Sequence, residues 1–257
     1  GDGIQIGYCA GTGGGWSTEL IAHKSQIHEV PEDISDEGAV ILEPDAGGVH
    51  TALKAQIQPG DVVAVQGSGT MGLCSIAAIR QFTEAGTVIA AAKYPLQRSL
   101  AEEFGADIVV EPSELKRAVR QVTGCRMIGN SLSGGSNVTI DAVGSASSIE
   151  TSLEITRPRG RLVMLGMPGV TKVDLTPLWH REIEMVGSYT YGTETLPDGS
   201  VTNSYALAFE LVREMQLDKL VTDLYPLDRY KQAIRHAAEA GSLGAIKVAF
   251  DLRGEKR

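Results

Sequence analysis

Only 3 of the 257 residues are cysteine, Cys9, Cys74 and Cys125, and no two of them form a Cys-x-x-Cys. So few thiols, so spaced, exclude a disulfide framework and a self-contained thiolate zinc site. Basic residues are also short: 23 Lys and Arg stand against 32 Asp and Glu, a net charge of −9. That balance argues against a nucleic-acid or anionic-membrane surface. No apolar run approaches the roughly 20 residues that span a bilayer. The opening stretch, Gly1 to Gly7, lacks the basic and apolar regions of a secretion signal, so a cytoplasmic location without membrane attachment is expected. An initiator Met is missing too, so Gly1 is not expected to be the natural start. What is present is a 42% apolar fraction, enough for a real core, which excludes general disorder. The length fits one large domain or two small ones.

Three textures follow one another. Residues 1–52 are Gly-rich and read as short strands, with an alternating stretch at 18–23. Residues 53–196 alternate short apolar strands (61–65, 87–91, 107–110, 137–141, 161–165 and 184–187) with helical stretches. Residues 197–257 read as a helix over 201–215, a strand over 221–224, a helix over 228–240 and a last strand over 245–251. Gly86, Gly105, Gly124 and Gly160 sit where a helix end calls for a left-handed residue, and Pro95 and Pro112 suit a helix first turn. Strands alternating with helices mean βαβ units, hence an α/β fold with one doubly wound, six-stranded parallel sheet covered on both faces.

The strongest local motif runs from Val62 to Leu73. Gly67, Gly69 and Gly72 form G-x-G-x-x-G after an apolar strand and before an apolar helix. The first glycine permits the tight turn, the second lets the backbone approach a pyrophosphate, and the third allows close helix–strand packing. The helix amino end then offers unpaired N–H groups to the phosphates. Gly67, Ser68, Gly69, Thr70, Met71 and Gly72 are therefore the expected dinucleotide turn. An Asp or Glu closing the second strand would bind the adenosine ribose and repel a 2′-phosphate. Ala92 stands there instead, followed by Lys93 and, further on, Arg98. A phosphate dianion favours such cations, so NADP is expected ahead of NAD.

With these residues in hand, the sequence resembles the medium-chain zinc-containing alcohol and polyol dehydrogenases over nearly its whole length. Gly13-Gly14-Gly15-Trp16-Ser17-Thr18-Glu19 looks like that family's G-G-x-A-E-Y stretch, and Val30-Pro31 through Ala39 like its V-P-D-x-x-S-x-E-x-A segment. Leu42-Glu43-Pro44 with Gly48-Val49-His50 resembles the E-P-L-x-x-x-x-H turn at its domain junction. The resemblance implies a Rossmann domain (residues 53–196) flanked by two pieces of an incomplete GroES-like, mainly β catalytic domain (residues 1–52 and 197–257). It adds Val143, Gly144, Leu165, Gly166, Met167 and Ser188 to the cofactor contacts. It places Glu43 as the catalytic and metal-ligating residue, since a carboxylate is a competent zinc ligand. Asp45 stands where the family has an apolar residue, and is read as altering substrate polarity or facing solvent. A homodimer or homotetramer through the Rossmann edge strand is implied as well.

The activity implied is hydride transfer between NAD(P) and an alcohol or polyol, or the carbonyl in reverse, assisted by zinc in the full-length protein. The family's principal ligands, a Cys and a His within Gly-His-Glu, are absent here, so its amino-terminal part is expected to be missing. Two alternatives stand beside this reading. One is a zinc-free quinone or enoyl reductase on the same fold, and the other a dinucleotide-binding module without activity of its own. His50 is read as a packing or hydrogen-bonding residue rather than a ligand.

Overall fold

The computed structural model describes residues 7, 11–129, 131–196 and 198–254. Cys9 and the opening stretch lie largely outside them. Among the described residues no strand forms before residue 62, and the stretch at 18–23 is irregular. Instead one long helix, α1 (Asp36–Lys54), opens the packed structure. Ser35 caps it by accepting the Gly38 N–H at 3.1 Å, with Asp36 and Glu37 in the first turn and Lys54 in the last, as the helix dipole favours. The supposed turn at Glu43-Pro44 lies inside this helix, and the expected division between residues 52 and 53 falls within it as well.

The parallel sheet follows as read. Strand β1 (Val62–Gln66) leads through α2 (Thr70–Phe82) to β2 (Thr87–Ala91), then α3 (Pro95–Glu103), β3 (Ile108–Val110) and α4 (Leu115–Thr123). A small hairpin of β4 (Met127–Ile128) and β5 (Ser131–Leu132) precedes β6 (Ser136–Asp141). The second half is α5 (Ala146–Ile155), β7 (Thr156–Met164), α6 (Thr176–His180) and β8 (Glu184–Gly187). Sheet order is β3-β2-β1-β6-β7-β8, every pair parallel, with Val65 opposite both Ala90 and Ile140. Alternation along the strands divides the core. Val63, Val65, Ala90, Ile140 and Val163 pack with α1 and α2, whereas Ala64, Ile89 and Ala91 pack with Leu115 and Val119 of α4. Leu153 of α5 closes the other end against Leu162.

Beyond β8 come a hairpin of β9 (Thr193–Thr195) and β10 (Val201–Asn203), then α7 (Ser204–Met215), which packs on α1. The helix read over 201–215 thus starts three residues later, after a strand. A parallel pair, β11 (Val221–Tyr225) and β12 (Lys247–Phe250), brackets α8 (Tyr230–Ala238) and α9 (Ala240–Leu243). Gly105 and Gly124 have positive φ as expected, but Gly86 and Gly160 do not. Space is what constrains Gly86: a Cβ there would lie 2.6 Å from the Gly60 carbonyl oxygen. No helix among the described residues is long and apolar enough to cross a membrane.

Candidate functional site

The order β3-β2-β1-β6-β7-β8 reverses direction between β1 and β6, which opens a crevice at the carboxyl ends of those strands, where open α/β sheets bind ligands. Gly67 leaves β1 with φ +94°, and a Cβ on it would stand 2.5 Å from Val143 Cγ2. A Cβ on Gly72 would overlap the Gly67 carbonyl oxygen, so no side chain fits at that position. At Gly69, the N-cap of α2, the space beside the backbone is open, and glycine offers no side chain to the helix amino end. Those N–H groups thus have no side-chain cap, the condition under which a helix amino end can take an anion. The Gly67 N–H (3.2 Å) and Ser68 hydroxyl (3.1 Å) both donate to the Ala91 carbonyl, which pins the turn to β2.

The second half of the crevice is laced just as tightly. Buried Asp141, at the end of β6, accepts the Val143 and Gly144 N–H groups at 2.8 and 3.0 Å through Oδ1. Its carbonyl takes the Leu165 and Gly166 N–H groups at 2.9 and 2.8 Å. Gly144 and Gly166 approach so closely that a Cβ on Gly144 would lie 2.8 Å from the Gly166 carbonyl carbon. Val143 and Met167 leave an exposed apolar rim. Ser188, following β8, is buried, its N–H bonded to the Met164 carbonyl at 2.8 Å. Residues expected on the cofactor thus come together from five strands.

At the β2 end, Ala92 is buried and its N–H binds the Val110 carbonyl at 2.9 Å. Lys93 is exposed, with Nζ 5.3 Å from the Tyr94 ring centroid. Arg98 is committed to its own chain. Nε donates to the Ala92 carbonyl at 3.2 Å, and Nη2 donates to the Lys93 carbonyl at 3.0 Å and pairs with Glu111. Of the two cations read for a 2′-phosphate, Lys93 is the one that faces solvent with no carboxylate pair among the described residues.

Glu43 is exposed on α1. Nearby, the Tyr205 phenol is pushed up by burial, then by its bond to Tyr191 and by the charge of Glu43. Its ring stacks on His28 at 4.2 Å and meets Tyr191 edge-on at 4.8 Å. Among the described residues no group of three or more His, Cys, Asp or Glu side chains could hold a metal ion. The described donors therefore do not fit zinc, and among them Glu43 stands as a lone candidate.

Two features escaped the sequence. Asp45 neither faces solvent nor lines the crevice: it is fully buried, and among the described residues neither carboxylate oxygen has a hydrogen-bond partner. Burial pushes its carboxyl well above the usual range. Its helix face lies on α2, where a Cβ on Gly48 would be 2.7 Å from the Cys74 carbonyl carbon, and Cys74 itself is a buried core thiol. The second feature is Glu194, which is nearly buried and accepts from His50 Nδ1 at 2.8 Å and Ser204 Oγ at 2.5 Å. His50 is hydrogen-bonded as read, but its partner lies 144 residues on, beyond any local signal.

Comparison with known proteins agrees with this fold. Residues 70–204 match the family model described as zinc-binding dehydrogenase. A sorbitol dehydrogenase from Bacillus subtilis is 27% identical over 216 residues, 82% of this chain and 56% of that protein. One from Arabidopsis thaliana is 27% identical over 243 residues, 93% of this chain and 63% of its own length. This chain thus spans about three-fifths of those curated relatives. Among solved structures, 2R,3R-butanediol dehydrogenase from Bacillus subtilis superposes with a TM-score of 0.74 at 23% identity, covering 93% of this chain and 64% of that one. A zinc-binding dehydrogenase of Sinorhizobium meliloti, solved with NADP bound, gives 0.71 at 24%, covering 93% and 66%.

Proposed function

Because this chain belongs to the zinc-binding dehydrogenase family, we propose that it binds a nicotinamide dinucleotide across the β1–β6 crevice and serves hydride transfer between that cofactor and an alcohol or polyol. The carrying observation is the crevice itself, where Gly67, Gly72, Gly144 and Gly166 leave no room for side chains. Relatives named sorbitol dehydrogenase, L-idonate 5-dehydrogenase and D-xylulose reductase support the polyol class. When bound, the dinucleotide supplies a nicotinamide ring that accepts or returns hydride. The chain's own part is to bind and orient. The α2 amino end and the Gly67–Gly72 backbone hold the pyrophosphate, Val143 and Met167 cover the cofactor from the rim, and the Ser188 segment flanks the nicotinamide half. Zinc assistance, which the family name implies, requires donors besides Glu43.

NADP is the preferred cofactor in this reading, on the strength of Lys93. One charge-assisted hydrogen bond to a 2′-phosphate is worth about 1.5–3 kcal/mol. Lys93→Ala is expected to weaken NADPH binding about 10-fold or more while NADH changes less than about two-fold, as read by fluorescence titration. Equal losses for both would refute the preference.

Within this reading residues 53–196 form the cofactor unit, and two copies pair through β8. In the six-stranded sheet that strand is an edge, bonded among the described residues to β7 alone, with Met185 exposed. Sedimentation at micromolar concentration is expected to give a homodimer, or a homotetramer built from it. A 27.2 kDa particle would overturn the pairing.

A further inference from the structure

Helix α1 places Glu43, Gly47, His50, Thr51 and Lys54 on one face, the i, i+4, i+7, i+8, i+11 series of a helical stripe. Two of these positions, Thr51 and His50, bond to the segment that leaves β8, and Gly47 lies beside it. Thr51 Oγ1 donates to the Gly47 carbonyl at 2.8 Å, so its 2.9 Å bond with Ser188 has the Ser188 hydroxyl as donor. A Cβ on Gly47 would reach to 3.5 Å from the Thr190 carbonyl oxygen, and Thr190 itself is held at φ +55°. His50 Nδ1 donates to Glu194 Oε1, the same oxygen that accepts the Ser204 hydroxyl. Burial pushes the Glu194 carboxyl up. The hydrogen bonds from His50 and Ser204, with the charges of His50 and Lys54, outweigh that and bring it below its usual range. Glu194 is therefore an anion held by His50 and Ser204.

In a doubly wound sheet each half serves one mononucleotide, and the β6–β8 half serves the one that carries the reacting ring. We propose that His50 and Thr51 are positioning residues, which with Glu194 and Ser188 form a clasp fixing residues 188–194 against the nicotinamide half of the cofactor. The clasp also ties that segment to the helix that presents Glu43. This inference rests on the dinucleotide reading above. It assigns the clasp no part in holding the adenosine and phosphate end, whose contacts come from β1, β2 and α2.

Fluorescence titration with NADPH, beside calorimetry with 2′-phospho-ADP-ribose, which lacks the nicotinamide, separates the two ends. His50→Ala and Glu194→Gln are each expected to weaken NADPH about 10-fold and the ribose fragment less than two-fold. The double variant is expected to lose no more than either single one, because both remove one interaction. Thr51→Val, which keeps the side-chain shape but removes the acceptor for Ser188, should repeat the selective loss. His50→Gln, which retains a donor toward Glu194, should recover most of the NADPH affinity. Equal losses on both ligands, no loss on either, or no rescue by glutamine would overturn the clasp. If the unaltered chain binds neither ligand, the dinucleotide reading fails first and the clasp falls with it.

Discussion

Gly72→Ala is expected to abolish dinucleotide binding at concentrations that saturate the unaltered chain. The new methyl group would overlap the Gly67 carbonyl oxygen, so β1's exit and the start of α2 must part to admit it. Both sides of that contact are backbone, and neither can swing aside as a long side chain would. Overpacking of this kind costs about 1–3 kcal/mol of stability. The effect on binding is larger, because the turn and the helix amino end form one anion site that works only in its assembled geometry. A loss of at least about 100-fold in NADPH affinity is expected, equivalent to about 2.7 kcal/mol. Titration by fluorescence at 25 °C, with circular dichroism to establish that the variant is folded, measures it. Retention of affinity within a few-fold would show that the pyrophosphate lies elsewhere.

Asp45→Leu is expected to make the protein more stable. The two side chains share heavy-atom count and branching, so leucine can take the place of a carboxyl group that is fully buried and, among the described residues, unbonded. Leaving a buried polar group unsatisfied costs about 1–3 kcal/mol, and replacing it with an apolar group of the same shape removes that cost. For a chain of this size a gain of about 2 kcal/mol raises the melting temperature by roughly 4–8 °C. The sign of the pH dependence follows from the raised carboxyl. In the unfolded chain Asp45 ionises near pH 4, whereas in the folded chain it keeps its proton to a higher pH. The unaltered protein's relative stability is thus greatest below about pH 4 and declines as pH rises toward the folded value. The advantage of the leucine variant should therefore be larger at pH 8 than at pH 5. A variant that melts lower at both would mean that Asp45 has a partner in solution.

The parallel sheet and the glycine turn between β1 and α2 were legible in the sequence because both are local. Val62 to Leu73 carries its own strand, turn and helix, and β2 and β8 run where the apolar runs do. The segment around Glu43 was misread as a turn for a physical reason. Proline removes a helix hydrogen bond and usually ends the helix. Here Gly47 and Gly48 let α1 lie directly against its neighbours, and burial along that face outweighs the cost at Pro44. Asp45 was invisible for a related reason: in a turn it would face water, and in α1 it faces α2. The contacts of Arg98 with two carbonyls and with Glu111 were likewise not legible, because Glu111 lies 13 residues on, across β3. The His50–Glu194 pair joins a helix to a hairpin that no periodicity connects.

The order of the sheet carries a consequence for how the binding crevice comes into being. Strands β1, β2 and β3 are neighbours in sequence, joined by single helices, and their half can assemble through local closure. The crevice needs β1 beside β6, a junction bridged where the Asn137 side chain accepts the Val62 N–H, 75 residues apart. Closing so long a loop must precede any reward from the contacts it makes, which slows folding. A dinucleotide bound across β1 and β6 engages only the closed form, and at 100 times its dissociation constant adds about 2.7 kcal/mol to that form. On the proposed reading, cofactor supply is therefore expected to raise the fraction of the chain that holds the closed form.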